Sequence, residues 1–215
     1  MRTVFVNPER CIGCLQCEIA CATEHSSSKN VASAFLEAPQ PRARIHVEPG
    51  PVPSTAYPNR CRHCDPAPCA QVCPTGAIHR DRGLGVVLVD EDRCISCAMC
   101  AVVCPFDAVT FYPSAAGPGP EVAVALKCDG CVERLRRGQP PACVEACKVG
   151  ALVFGDLNDL VAAGRLRATA AVLAATAAAP PGPPDPLAAW HAFGAELVAA
   201  AGHAARPTHD RGGER

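Results

Sequence analysis

The chain has 215 residues, long enough to bury a core of its own in one or two domains. A formal net charge of -1, with no basic stretch interleaved with aromatics, leaves no electrostatic case for nucleic acid. Aromatics make up only 4 % of the residues, against 22 prolines and 16 cysteines, so ordinary side-chain packing is a poor candidate for what holds the first two-thirds together.

The start, "MRTVFVNPERC", lacks a charged segment followed by an apolar run, so no signal peptide is expected. No 18-residue apolar span is present either: the best stretch, "LVAAGRLRATAAVLAATAAA", is broken by Arg165 and Arg167. The expectation is a soluble, cytoplasmic protein without a membrane span of its own, reaching a membrane only through a partner. In that compartment persistent thiols serve as metal ligands or catalysts more often than as disulfides.

In chain order, the alternating run "RTVFV" predicts a strand leading to a first cysteine set, "CIGCLQCEIAC", Cys11 to Cys21, at spacings x2, x2, x3. A Ser- and Pro-rich insertion from Ala22 to Arg60 follows, with a second strand expected in "RARIHVE". The second set is "CRHCDPAPCAQVC", Cys61 to Cys73. The strand-like "GVVLV" precedes the third, "CISCAMCAVVC", and "EVAVAL" precedes the fourth, "CDGCVERLRRGQPPACVEAC". Each last cysteine is expected in or beside a short helix. Past Asp156 the composition turns Ala-rich, predicting a helix over 157–179. Residues 180–215 read as a Pro-rich linker, a second helical stretch and a disordered, flexible tail.

The sets repeat as A-B-A-B. The first and third share Arg-Cys-Ile-x-Cys-x2-Cys-x3-Cys; the second and fourth open with C-x2-C and end in Gly-Ala-Ile or Gly-Ala-Leu. Together they use all 16 cysteines. C-x2-C-x2-C wraps three corners of a cubane, and in two-cluster ferredoxins the fourth cysteine, commonly followed by Pro, ligates the other cluster. Small residues such as Gly13, Ser96 and Ala98 let backbone N–H groups approach the sulfides. Zinc would use paired knuckles and waste a thiolate of the triple motif, and disulfides suit a secreted chain. Sixteen cysteines in four sets therefore imply four [4Fe–4S] clusters, and no iron is left open for a substrate. The chain reads as an electron carrier, not an enzyme.

With these motifs, residues 1–160 resemble the four-cluster ferredoxin-like electron-transfer subunits of molybdenum oxidoreductases, hydrogenases and nickel carbon-monoxide dehydrogenases. The stretch "CIGCLQCEIACATEHSSSKNVASAFLEAPQPRARIHVE" and the later "CVEACKVGAL" look most like the iron–sulfur subunit paired with carbon-monoxide dehydrogenase. The resemblance implies an α+β fold of two nested ferredoxin-like dicluster modules within 1–156, the inner about 58–112 and the outer built from the two flanks. It also implies a ligand scheme. Cys11, Cys14, Cys17 and Cys147 would hold one cluster; Cys128, Cys131, Cys143 and Cys21 a second; Cys61, Cys64, Cys69 and Cys104 a third; and Cys94, Cys97, Cys100 and Cys73 the fourth. Pro follows Cys73 and Cys104, whereas Ala follows Cys21 and Lys follows Cys147, in keeping with that division.

The function implied is relay of single electrons from a catalytic dehydrogenase, preferentially carbon-monoxide dehydrogenase, to a hydrogenase, flavoprotein or membrane acceptor. The alternatives are the iron–sulfur subunit of a molybdopterin oxidoreductase such as formate dehydrogenase, or of a hydrogenase, and then a redox sensor. Of the remaining residues, His63 inside "CRHC" reads as a solvent- or partner-facing imidazole, and His25 as structural or docking. Lys148 reads either as a charge that raises a cluster potential or as an exposed lysine. "ERLRRG" reads as an acidic-partner site or a solvated face. Leu187, Trp190, Gly194, Leu197 and Ala201 mark one helical face, either a partner-binding helix or a loosely helical tail.

Overall fold

The computed structural model describes residues 2–53, 55–114, 122–178, 190 and 193–196. It falls into two units, Met1–Ala162 and Ala163–Arg215. Among the described residues, eight short strands form four separate antiparallel pairs, all in the first unit. Strand β1 (Arg2–Val6) pairs with β8 (Leu152–Asp156), Val4 opposite Phe154, which sews together the two flanks of the cysteine region. The other pairs are β2 (Ile45–Pro49) with β3 (Ala56–Arg60), β4 (Ile78–Arg80) with β5 (Val87–Val89), and β6 (Thr110–Pro113) with β7 (Ala123–Leu126).

The four runs expected as strands are β1, β2, β5 and β7. Their partners β3, β4, β6 and β8 carry no readable period, because they are short or hold Pro or Gly, as in "AYPNR" and "LVFGD". Each pair buries one side through residues such as Ile45, Val87, Val124 and Leu152, all at 2 % exposure or less. The apolar clusters so formed include cysteines, for instance Val4, Ile45 and Leu152 with Cys17, Cys21 and Cys143.

The helices are α1 (Gln16–Glu24), α2 (Val31–Ala34), α3 (Pro68–Gln71), α4 (Met99–Val102), α5 (Val132–Arg136), α6 (Ala142–Ala146) and α7 (Leu157–Ala178). The third cysteine of every set is the second residue of a helix: Cys17, Cys69, Cys100 and Cys143 in α1, α3, α4 and α6. The fourth cysteine comes four residues later, inside α1 or just past the end of the other three helices. Helix α1 packs on α6 and α3 on α4, so the first set meets the fourth and the second meets the third.

The internal repeat is visible in the hydrogen bonds. One-turn 3-10 helices, Pro8–Arg10 and Glu91–Arg93, precede Cys11 and Cys94. The residue before each turn donates its N–H to a distant carbonyl: Asn7 to Ala151 at 2.7 Å and Asp90 to Ala77 at 2.8 Å. The insertion is ordered, not loose. Asn30 accepts the N–H of Ser33 at 3.2 Å and caps α2, and β2 and β3 close the segment.

Helix α7 matches the stretch expected over 157–179 to within a residue at its end. The linker and most of the tail expected over 180–215 lie outside the described residues, as do Leu187, Leu197 and Ala201 of the proposed helical face. Within the second unit, Trp190 and Phe193 meet edge-to-face with ring centroids 6.3 Å apart, both largely exposed. No helix among the described residues is long and apolar enough to cross a membrane.

Candidate metal centres

The cysteines gather into thiol-lined cavities. Cys11, Cys14, Cys17 and Cys147 line one. Cys61, Cys64, Cys69 and Cys104 line a second. Cys73, Cys94, Cys97 and Cys100 line a third. The remaining four are mutual neighbours: burial first, then the fields of Cys128, Cys143 and Cys131, push the Cys21 thiol well above its ordinary range. All sixteen cysteines are free of disulfides. Each group of four mixes two sets, which follows from α1 lying on α6 and α3 on α4.

Local backbone makes these rims. In the first C-x2-C loop of every set the residue before the second cysteine has positive φ: Gly13 at 68°, His63 at 50°, Ser96 at 57° and Gly130 at 73°. Leu15 and Ala98 repeat the turn at 60° ahead of α1 and α4. Alternating handedness of this kind turns successive N–H groups to one side and makes a concavity suited to an anion. The sulfurs accept backbone N–H groups as well. His63 donates to Cys61 Sγ and Gly130 to Cys128 Sγ, each at 3.4 Å; Arg44 donates to Cys21 Sγ at 3.2 Å. Ala125 and Leu152 donate to Cys94 and Cys147, each at 3.4 Å.

The donor chemistry fits iron–sulfur cubes. Burial pushes the thiols of Cys131 and Cys143 up to about 12, and those of Cys17 and Cys100 to about 11. Alone, such groups stay protonated at neutral pH; bound to metal they are thiolates. Two buried cations supply the second test. Arg60 and Lys127 are each 3 % exposed, and neither meets a carboxylate among the described residues. Their partners are carbonyls and sulfur. Arg60 donates to Val4 O at 3.2 Å and Cys128 Sγ at 3.8 Å; Lys127 donates to Val87 O and to Cys128 O at 3.1 Å. An uncompensated buried cation costs several kcal/mol, so these two require anionic charge beside Cys128. A thiolate-held cluster provides it.

Arg60 and Lys127 carry no motif, and only their contacts reveal them. His63 corrects the sequence expectation: it is 6 % exposed, and its Nδ1 accepts the Val87 N–H at 3.0 Å. It faces neither solvent nor a partner, because the left-handed turn at residue 63 folds the ring inward under β5. His25 has a structural place. Its Nδ1 donates to Cys21 O at 2.7 Å, and Nε2 lies 3.2 Å from both carboxylate oxygens of Asp129, which also pairs with Arg44. That ties the insertion to the fourth set. Lys148 is exposed and donates to Glu145 O at 3.3 Å. In "ERLRRG", Arg134 is a clamp: its side chain is largely enclosed and pairs with Glu24 and Glu145.

Residues 52–157 match the model of a 4Fe-4S dicluster domain, and residues 10–78 match a second 4Fe-4S dicluster model. Electron transport protein HydN of Escherichia coli (strain K12) is 41 % identical over 74 % of this chain and 90 % of its own length. A protein described as "Iron-sulfur protein" from Rhodospirillum rubrum is 39 % identical over 72 % of this chain and 82 % of its own. The thiosulfate reductase electron transfer subunit PhsB of Salmonella typhi is 38 % identical over 70 % and 73 %. The fold and its cysteine rims are those of a 4Fe-4S dicluster protein. The chain belongs to the family of 4Fe-4S electron-transport proteins that includes HydN.

Proposed function

We propose that this chain carries four [4Fe–4S] clusters and relays single electrons between a catalytic oxidoreductase subunit and a downstream acceptor. One observation carries the reading: sixteen cysteines gather into four groups of four, with no thiol left over. In the order in which the chain first meets them, the ligand groups are Cys11/Cys14/Cys17/Cys147, Cys21/Cys128/Cys131/Cys143, Cys61/Cys64/Cys69/Cys104 and Cys73/Cys94/Cys97/Cys100. The first two form an outer module and the last two an inner module nested within it.

A bound cubane supplies one-electron exchange between oxidised and reduced states. The chain's own residues hold the thiolates, exclude water with the apolar clusters, and set charge through Arg60 and Lys127. With every cysteine engaged, no open coordination position remains for a substrate, which supports a relay subunit and not a catalyst.

The narrower reading names the donor. Carbon-monoxide dehydrogenase rests on the likeness of the first set with the loop that follows it and of the later "CVEACKVGAL". A second reading, the electron-transfer subunit of a reductase, is favoured by the likeness to the thiosulfate reductase subunit PhsB. Anaerobic affinity purification from the native host separates them. Nickel and a carbon-monoxide dehydrogenase in the eluate would support the narrower reading. A reductase without nickel would support the second. Iron and acid-labile sulfide well short of four cubes per chain would overturn the four-cluster relay.

A further inference from the structure

Cys61 of the second set and Cys128 of the fourth pack into one buried cluster, so two groups of four meet there. His63 lies at that junction. Its Nδ1 accepts the Val87 N–H at 3.0 Å, which places the ring proton on Nε2. Nε2 is buried and has no hydrogen-bond partner among the described residues. Its direction is set by Gly130: a Cβ built there would stand 3.4 Å from His63 Nε2, so the nitrogen faces the Cys128–Cys131 loop from across the junction. With Nδ1 engaged as an acceptor, the ring has a single hydrogen to give, through Nε2. An enclosed N–H of that kind without an acceptor costs free energy, and native proteins rarely leave one so.

The geometry points to His63 as a potential-setting residue, its Nε2–H donating to a sulfur of the cluster held by Cys21, Cys128, Cys131 and Cys143. The inference rests on the four-cluster reading above. Its chemistry is electrostatic: a hydrogen bond to sulfur favours the more negative, reduced cluster and raises its reduction potential. His63 belongs to the loop of one cluster and serves its neighbour, so it aligns the potentials of two adjacent relay stations. It is a positioning residue and ligates no iron.

The test uses anaerobic holoprotein and EPR-monitored redox titration of wild type, His63→Leu and His63→Gln. We expect one midpoint potential to fall in His63→Leu while the other three stay in place. His63→Gln, which keeps an acceptor and a donor on one planar group, recovers part of the shift. Pulsed EPR on reduced protein with ¹⁵N-labelled histidine adds a readout that needs no potential. A weak ¹⁵N coupling present in wild type vanishes in labelled His63→Gln, the contribution of His25 being common to both. Four unmoved potentials, or identical couplings in the two proteins, overturn the proposal. Failure of the underlying reading shows separately, as wild type with less iron and sulfide than four cubes need.

Discussion

Arg10 lies directly over Gly150: a Cβ built on that glycine would stand 3.0 Å from Arg10 Nη1. Arg93 covers Gly76 in the same way, at 3.2 Å, and donates to the carbonyl of Thr75. Each arginine immediately precedes the first cysteine of its set, and each glycine closes the set with which it pairs. The two contacts are one device used twice, once between the first and fourth sets and once between the third and second.

Glycine substitutions test how hard each closure is held. Gly150 has φ +68° and faces the far end of a flexible arginine, so Gly150→Ala should cost about 1–2 kcal/mol from backbone strain. Gly130 has φ +73°, and its added Cβ would meet Val86 Cγ1 at 2.8 Å. Val86 is buried and cannot swing away, so overpacking adds about 1–3 kcal/mol there. Thermal melts of the anaerobic holoproteins should rank Gly130→Ala clearly below Gly150→Ala. Equal melting temperatures would mean that the Val86 contact relaxes freely.

Removing the metal should unfold the first unit. Its apolar clusters are small and built partly from cysteines, and Arg60 and Lys127 would be left without an anion beside them. Treatment with an iron chelator under reducing conditions is expected to abolish the cooperative thermal transition seen by circular dichroism. An iron-free chain that still melts cooperatively at the holoprotein temperature would show that packing alone suffices.

Cys14→Ser should remove one cluster and leave the others. Cys14 is exposed at the rim of its cavity, so the change reaches no packed core. Iron should fall by about one quarter, with one cubane signal lost from the reduced EPR spectrum. Undiminished iron, with partner-linked electron transfer at the wild-type rate, would refute Cys14 as a ligand.

Arg134 and Arg136 should behave differently although both belong to one charge run. The Arg134 side chain is 13 % exposed and joins Glu24 at 3.2 Å and Glu145 at 2.5 Å, so Arg134→Ala should cost about 1.5–3 kcal/mol. The Arg136 side chain is 54 % exposed, and Arg136→Ala should stay within about 0.5 kcal/mol. Denaturation of the two anaerobic variants, compared at equal iron content, measures the difference.

Arg60→Met removes the buried guanidinium that lies 3.8 Å from Cys128 Sγ. Losing a positive charge there should make the adjacent cluster harder to reduce, so its midpoint potential in an EPR titration falls. An unchanged potential would place the countercharge elsewhere.

Sequence alone determined what is local. Short spacers force left-handed turns at Gly13, His63, Ser96 and Gly130, because three or four residues leave the backbone few other ways to point successive sulfurs inward. The short helix in or beside each last cysteine and the helix expected over 157–179 were legible for the same reason, since runs of helix-forming residues act within a turn or two. Tertiary structure decided which sets meet. That choice depends on β1 finding β8 and α1 lying on α6, contacts between segments far apart in the chain that no spacing encodes. It also decided the fate of His63, Arg60 and Lys127. A histidine between two cysteines, an arginine before one and a lysine at a strand's end look like surface residues in the sequence. They become buried donors only because the second and fourth sets close over them, and burial is a property of the whole fold.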